Sequence, residues 1–232
     1  MKRKAKAILL GVGRKYLPPP QMEVLTLLLT ELKISSYHHK GIARIRRHGL
    51  LHPTKLNLGA GAFCKSGFLN VDLFPGGDLT LDLRRGLPFA SNCCETIFSE
   101  HFFEHIEYPK TISNLFHECL RVLRPGGLLS FSVPDTEWPL IDYQHGPEAP
   151  YFRACLEHHW HPDCTTRIEH INYHFRQRGQ HLFAYDQETL QKLLESVGFA
   201  NVRKRAYDPE IDSEHRRVGS LFISAMKPLN HN

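Results

Sequence analysis

The sequence predicts an open α/β sheet. Short apolar segments that end in glycine or an acidic residue alternate with amphipathic segments of helical period. Such alternation is typical of a mainly parallel sheet covered by helices. The chain has 232 residues, of which 41% are hydrophobic and 23% charged. This ordinary globular composition argues against a disordered or fibrous protein, and no apolar run approaches the roughly 18 residues of a membrane span.

The first 50 residues are basic, and they begin with a basic N-terminal arm. They carry 11 Lys and Arg side chains against two acidic ones, whereas the rest of the chain has 18 basic and 22 acidic side chains. The arm suits contact with anionic lipid, nucleic acid or an acidic substrate, and equally suits a solvated terminus. Met1–Gly13 has basic residues before a short apolar run but no convincing cleavage site, so we expect a cytoplasmic protein. Six cysteines without a CxxC pair fit free thiols in a reducing compartment.

A helical extension is expected before the sheet. Three prolines, Pro18 to Pro20, end the basic arm, and the apolar spacing predicts a helix over 21–34. Residues 38–52 are basic and irregular, and Pro53 closes them. We therefore predict an N-terminal extension over 1–53 and a main domain over 54–232.

Four short strands follow in series, and each ends at a chemically useful residue. They are predicted at 56–58, before Gly59-Ala60-Gly61; at 68–71, before Asp72; at 79–81, before Asp82; and at 96–98, before Ser99-Glu100-His101. Ligands of open α/β sheets bind beyond the carboxyl ends of the strands. The series therefore predicts a binding site at this edge.

The second half of the main domain continues the alternation. Between Ile112 and Leu123, successive apolar residues are separated by three and one positions in alternation, which predicts a helix. Pro125-Gly126-Gly127 is expected to end it. A strand is predicted at 128–133, ending at Asp135. Asp186 is expected to cap a helix that ends at Gly198, and the last two strands are predicted at 201–207 and 220–226.

The stretch 136–182 is rich in histidine and aromatic residues and has no sustained period, which indicates an insert or cover after the fifth strand. Its mixture of arginine and aromatic side chains suits either a substrate-facing surface or an ordinary packed lid. His170 and His174 are four residues apart, as on one helix face. No standard zinc-ligand spacing and no HExxH motif occurs, so we predict no metal site, and a zinc-stabilised module remains an alternative.

The strand-end residues suit a nucleoside. Glycine lets the backbone turn sharply beside a ligand, but the third glycine of a dinucleotide motif would fall at Cys64, which argues against NAD or FAD. Asp72 can accept both hydroxyls of a ribose, or it caps the next turn. Asp82 can accept from an adenine amino group while Leu83 packs on the ring.

At this point the sequence resembles a known family. The segments are Leu56-Asn57-Leu58-Gly59-Ala60-Gly61, Gly67 to Asp72, Asp82 to Phe89, Ser99 to His105, Leu120 to Gly127 and Leu193 to Phe199. In this order they look like class I S-adenosylmethionine (SAM) dependent methyltransferases, closest to the type-11 group. The resemblance covers roughly residues 55–226.

The resemblance implies a Rossmann-like seven-stranded sheet with a reversed last strand and a bound SAM. The cofactor would lie on Gly59, Ala60, Gly61, Asp72, Leu73, Asp82, Leu83 and Glu100. Glu100 and His101 match the strand end where the methionine part and the acceptor meet. Only residues 62–67 separate the glycine turn from the second strand, so the usual first helix must be a single turn or missing.

A methyl transfer from SAM needs donor and acceptor held in line. His101 is our candidate general base, with Glu100 beside it; His101 capping the next helix is the alternative. The expected acceptor is an oxygen or nitrogen of a small molecule, saccharide or glycolipid, with the basic arm at an anionic membrane surface. A nucleic-acid methyltransferase is a less favoured alternative because the body is slightly acidic. A non-catalytic SAM- or zinc-binding module is the other.

Overall fold

The computed structural model of the protein describes residue 11 and residues 15–229. The signal-like run and most of the basic arm, in residues 1–10 and 12–14, lie outside the described residues. Within the described part, no helix combines the length and the hydropathy needed to span a lipid bilayer.

Seven strands of the described chain form one sheet in the order β3-β2-β1-β4-β5-β7-β6. Neighbours from β3 to β5 run parallel, whereas β7 is antiparallel to both β5 and β6. The Rossmann-like sheet with a reversed last strand is therefore confirmed. The strands are β1 Lys55–Leu58, β2 Leu69–Asp72, β3 Leu79–Thr80, β4 Cys94–Glu100, β5 Leu123–Pro134, β6 Ala200–Lys204 and β7 Ser220–Met226.

Six α-helices of the described chain accompany the sheet: α1 Pro19–His48, α2 Lys110–Val122, α3 Glu137–Tyr143, α4 Pro150–Glu157, α5 Arg167–Arg176 and α6 Gln187–Val197. The main core lies where α2 and α6 cover the sheet, and it includes Leu56, Ile97, Phe116, Phe131 and Leu190. Asp186 caps α6 as predicted, its carboxylate accepting the Thr189 N–H at 2.8 Å, and Gly198 ends that helix in the left-handed conformation.

The connection between β1 and β2 contains no helix. Residues 59–68 form turns, and β1 and β2 still pair in parallel with Leu56 opposite Leu69. Asn57 and Asn70 hold this short crossover together, because the Asn57 amide donates to the Asn70 side chain at 2.9 Å. The prediction that the first helix must be nearly or wholly missing is confirmed.

The N-terminal helix is longer than predicted. The prediction that 38–52 is irregular is wrong, because α1 continues through His48. Its second half is ordered by packing: Ile45 is buried, and a Cβ at Gly41 would lie 2.3 Å from the Thr80 carbonyl oxygen. Glycine at 41 thus lets the helix contact β3 closely. The domain boundary after residue 53 stays a prediction.

Two further boundaries differ from expectation. Pro125-Gly126-Gly127 lies inside β5, because α2 ends at Val122 and the chain enters the strand directly. The stretch 136–182, which shows no period, folds into three short helices. A capping box starts α5: Thr166 accepts the Glu169 N–H, and Glu169 accepts the Thr166 N–H. A separate small hydrophobic cluster stabilises this cover. It consists of Ala149, Tyr151, Phe152, Cys155 and Ile171.

Candidate active site

The glycine turn after β1 begins the site. Gly59 and Gly61 have φ angles of +68° and +52°, which favour glycine. A Cβ at Gly59 would also lie 2.5 Å from side-chain atoms of Phe102, whereas Gly61 has open space around it. The backbone therefore approaches the end of β4 closely at Gly59. The neighbouring Ala60 is buried and donates its N–H to the Val71 carbonyl oxygen at 3.1 Å.

One cavity of about 370 Å³ opens beside this turn. Consecutive strand ends contribute to it, so the topology unites residues that are far apart in sequence. Its lining includes six residues of the predicted cofactor set or the predicted acceptor side, together with Phe102, His105 and Ile106. Those six are Gly59, Asp72, Leu73, Asp82, Leu83 and His101.

Asp72 closes the glycine turn. Its carboxylate accepts the Gly61 N–H and the Phe74 N–H, both at 2.9 Å. A carboxylate has about four acceptor positions, so two remain for a ligand. The two interpretations offered by the sequence, turn cap and ligand acceptor, are therefore compatible at Asp72.

Asp82 is buried and paired within the protein. Its carboxylate accepts from the Arg84 backbone N–H at 3.2 Å and from the Arg84 guanidinium at 2.8 and 3.0 Å. Burial alone would raise the pKa of Asp82, but these hydrogen bonds and the charges of Arg84 and Arg85 lower it. Arg84 also binds Glu31 of α1 at 2.8 Å. Adenine recognition by the Asp82 carboxylate stays a prediction, and Leu83 beside it forms part of the cavity wall.

Glu100 organises a loop that crosses the site. Its carboxylate accepts the Ser213 N–H and hydroxyl, both at 2.7 Å, and the Lys65 ammonium lies 3.2 Å away. Ser213 belongs to residues 205–219 between β6 and β7, hereafter the closing loop. A buried ion pair between Arg205 and Asp212 braces this loop at 2.6 Å. Glu100 therefore fixes the closing loop over the glycine turn.

His101 has both ring nitrogens engaged. Arg216 of the closing loop donates Nη1–H to His101 Nδ1 at 3.0 Å, and His101 Nε2 lies 2.7 Å from the Ser220 hydroxyl. Because arginine only donates, Nδ1 is the acceptor and Nε2 carries the proton. Burial and the Arg216 charge hold the pKa of His101 well below its usual range. The imidazole is therefore neutral, with its lone pair directed at Arg216.

Glu104 is a buried carboxyl group next to His101. It is 1% exposed, and burial raises its pKa to about 8. Neither carboxylate oxygen accepts a hydrogen bond from the described residues. The nearest ring nitrogens are His101 Nδ1 at 3.6 Å and His105 Nε2 at 3.9 Å.

A second cavity of about 330 Å³ adjoins His101 on the side of the cover. Histidine is the most frequent residue in its wall, which also contains the aromatic side chains of Trp160 and Tyr173 and the cationic side chain of Arg216. Burial lowers the pKa of His161, His174 and His181 to about 4, so these rings are neutral at pH 7. The cover thus faces the candidate active centre, and His101 lies where the two cavities meet.

Two groups of metal-ligand type occur among the described residues. One comprises Cys155, His161 and His170, and the other comprises Glu104, His105 and His181. His170 and His174, the i, i+4 pair noted in the sequence, do not share a metal-ligand group. His170 belongs to the first group, whereas His174 belongs to neither and donates Nε2–H to the Asp135 carbonyl oxygen at 3.0 Å.

The sequence analysis missed the closing loop. Ser213, His215 and Arg216 lie near the glycine turn only after folding, and His215 stacks on Phe63 with ring centroids 4.3 Å apart. The available signal was composition: 203–217 carries a run of charged residues between two short apolar strands. Such a run usually indicates a solvated loop, so it could not indicate the site.

Residues 70–204, more than half of the chain, match the family model of a methyltransferase domain. The chain belongs to this methyltransferase domain family. Membership agrees with the SAM cofactor that the sequence predicts. No curated protein sequence matches the chain significantly.

Several solved structures resemble this methyltransferase domain at low identity. Phosphoethanolamine N-methyltransferase 2 of Haemonchus contortus, in complex with S-adenosyl-L-methionine, is 14% identical over 82% of this chain and 52% of that one, with a TM-score of 0.44. The chain thus spans about half the length of that protein. A SAM-dependent methyltransferase of Mesorhizobium loti is 18% identical over 75% and 91% of the two chains, with a TM-score of 0.45. One from Archaeoglobus fulgidus is 17% identical over 87% and 99%, with a TM-score of 0.43.

Proposed function

We propose that the protein is a SAM-dependent methyltransferase that acts on an oxygen or nitrogen of a small molecule or saccharide. One observation supports this most strongly. The cavity beside the glycine turn combines Gly59, Asp72, Leu83 and His101, and it adjoins the histidine-rich cavity at His101. The first cavity is the proposed cofactor site and the second the proposed acceptor site.

In this proposal the protein acts mainly by orientation. The sulfonium methyl group of SAM is already activated, so holding it in line with the acceptor supplies much of the acceleration. Asp72 would accept ribose hydroxyls with its two remaining acceptor positions. Gly59, Ala60 and Gly61 would let the cofactor lie against the backbone, with Glu100 near its methionine part.

The chemistry of the second cavity supports the proposed class of acceptor. Trp160 and Tyr173 offer ring faces for a sugar or another flat group, and Arg216 offers a cation for an anionic substituent. His101 serves as general base in this proposal once Arg216 turns from its lone pair toward such a substituent. Proton transfer and acceptor binding would then be linked through Arg216.

Calorimetric titration of metal-free protein with SAM and with its demethylated product tests the cofactor. We expect micromolar binding of both and none of NAD. Absence of SAM binding in protein whose circular dichroism shows a folded α/β chain would refute the proposal.

A radiolabelled-methyl assay against nucleotide sugars and lipid-linked saccharides tests the acceptor. His101→Ala should retain SAM affinity and lose at least tenfold in transfer rate, since general bases contribute about 10²–10⁴-fold. Full activity of that variant would exclude His101 as the base.

We also propose that the N-terminal region contacts an anionic membrane surface. The first half of α1 exposes the apolar side chains of Val24, Leu27, Leu28 and Leu32, and its second half carries Lys40, Arg44, Arg46 and Arg47. Sedimentation with phosphatidylglycerol vesicles, but not with phosphatidylcholine vesicles, is the expected result. Equal recovery in both supernatants would contradict it.

A further inference from the structure

The cover and the end of β4 bring three ligand-type side chains together. Glu104 and His105 lie in a single 3₁₀ turn, Phe103–His105, after β4, and His181 follows α5. The Glu104 carbonyl oxygen accepts the N–H groups of Leu182 and Phe183 at 2.8 and 3.3 Å. This backbone pairing fixes His181 beside Glu104. One ligand atom from each of Glu104, His105 and His181 lies within 4.8 Å of the others.

The Glu104 carboxyl group has no hydrogen-bond partner among the described residues, and the Arg216 charge offsets only part of the cost of burying it. A buried polar group is costly unless hydrogen bonds, an opposite charge or a metal ion offset its lost hydration. Glu104 is 1% exposed, and neither of its oxygens accepts a hydrogen bond within the part of the chain that the structure describes. Arg216, the cation that lines the same cavity, donates to His101 instead.

Both histidines are held in the tautomer that binds metals. His105 Nδ1 lies 2.9 Å from the Gln180 carbonyl oxygen, and His181 Nδ1 lies 2.9 Å from the His174 carbonyl oxygen. A carbonyl oxygen only accepts, so each Nδ1 carries the proton and each Nε2 keeps its lone pair. A backbone carbonyl that fixes the other nitrogen is the usual outer partner of a metal-bound histidine. The ring centroids of the pair are 5.0 Å apart.

We propose that Glu104, His105 and His181 bind a divalent transition-metal ion. Two imidazoles and one carboxylate suit Zn²⁺, Fe²⁺ or Mn²⁺. Three protein ligands leave coordination positions open, and all three residues line the histidine-rich cavity. The bound ion would therefore face that cavity.

The inference rests on the proposed function only for the role of the ion. A hydroxyl oxygen bound to such an ion loses its proton more readily. Because both nitrogens of His101 are engaged, the ion offers a second way to prepare an oxygen acceptor. The favoured acceptor is then a hydroxyl compound rather than an amine.

Cobalt(II) titration of metal-free, full-length protein tests the site. Bound cobalt gives visible d–d absorption, and a thiolate ligand adds a charge-transfer band in the near ultraviolet. We expect one equivalent bound without help from Cys155, so Cys155→Ser should retain it. Glu104→Gln and His181→Ala should each weaken its binding at least tenfold. His145→Ala, an exposed histidine away from the cavity, is the matched control.

The outcomes separate the two metal-ligand groups. Cobalt binding that carries the thiolate band and is lost only in Cys155→Ser would assign the metal to Cys155, His161 and His170 and overturn the proposal. Unchanged affinity in folded Glu104→Gln, or no stoichiometric binding by folded protein, would also overturn it. If Glu104→Gln does not fold, the cobalt affinity of His181→Ala, which alters a half-buried side chain, tests the proposal instead. SAM titration of the same metal-free protein reports the proposed function independently.

Discussion

At the scale of single residues, Asp72 combines a structural and a proposed binding role. Its two backbone hydrogen bonds close the glycine turn, while its carboxylate lines the cofactor cavity. Substitution tests must therefore separate loss of fold from loss of ligand contacts. The neighbouring Asp78 offers the comparison, because it accepts the Asn70 N–H at 2.8 Å and does not line that cavity.

Asp72→Ala is expected to weaken SAM binding by at least tenfold, because a charge-assisted hydrogen bond contributes roughly 1.5–3 kcal/mol. Asp78→Ala should lower thermal stability and leave the SAM dissociation constant within twofold. Calorimetry on both folded variants makes the comparison. Equal affinity of Asp72→Ala and the unsubstituted protein would reject Asp72 as the ribose ligand.

The two glycines of the first turn should respond differently to alanine. Each substitution forces a non-glycine residue into a left-handed conformation, which costs about 1–2 kcal/mol. Only Gly59→Ala also brings a Cβ against Phe102, so overpacking adds about 1–3 kcal/mol. Urea unfolding should therefore show the larger loss for Gly59→Ala, and similar losses for Gly59→Ala and Gly61→Ala would contradict the close approach.

At the scale of elements, the sequence predicts best where local and global signals agree. Strand β7 and the Asp186 cap of α6 match the prediction, because apolar pattern and capping chemistry are local. The sequence does not predict the second half of α1, because contact with β3, where Gly41 meets Thr80, orders that segment. It misses the closing loop for the same reason, since the contacting residues Glu100 and Ser213 are 113 residues apart.

The cap of α6 gives an element-scale prediction. Asp186→Ala removes the acceptor of the Thr189 N–H and should lower the free energy of unfolding by about 1 kcal/mol. Asp186→Asn keeps an oxygen acceptor and should retain most of that stability. Chemical denaturation of the three proteins measures the effect. An asparagine variant as unstable as the alanine variant would show that the charge, not the cap, matters.

At the scale of the whole molecule, α1 is attached to the sheet through Asp82, which contacts His38 and Arg84. The Asp82 N–H donates to His38 Nδ1 at 3.2 Å, and Arg84 joins Glu31 to Asp82. His38 must be neutral to accept that hydrogen bond. Burial, with the nearby Arg85 charge, lowers its pKa below 6.5 in the folded protein.

Attachment of α1 should therefore weaken in acid. The unfolded chain binds a proton at His38 more readily than the folded chain, so the contribution of His38 is present above pH 6.5 and is lost as pH falls through the lower folded pKa. The protection factors of α1 amides, which correct for the intrinsic pH dependence of exchange, should fall over that window. His38→Gln keeps an acceptor without titrating, and its protection factors should vary less with pH; an identical profile would exclude His38 as the cause.

The hydrogen bonds between residues 213–220 and the pair Glu100 and His101 join the last hairpin to the middle of the chain. A ribosome delivers residues in order, so a nascent chain with β1 to β5 already made still lacks the closing loop. Contacts between such distant residues also form slowly. Competence to hold the methyl donor should accordingly arise late in synthesis, only after β7 has joined the sheet.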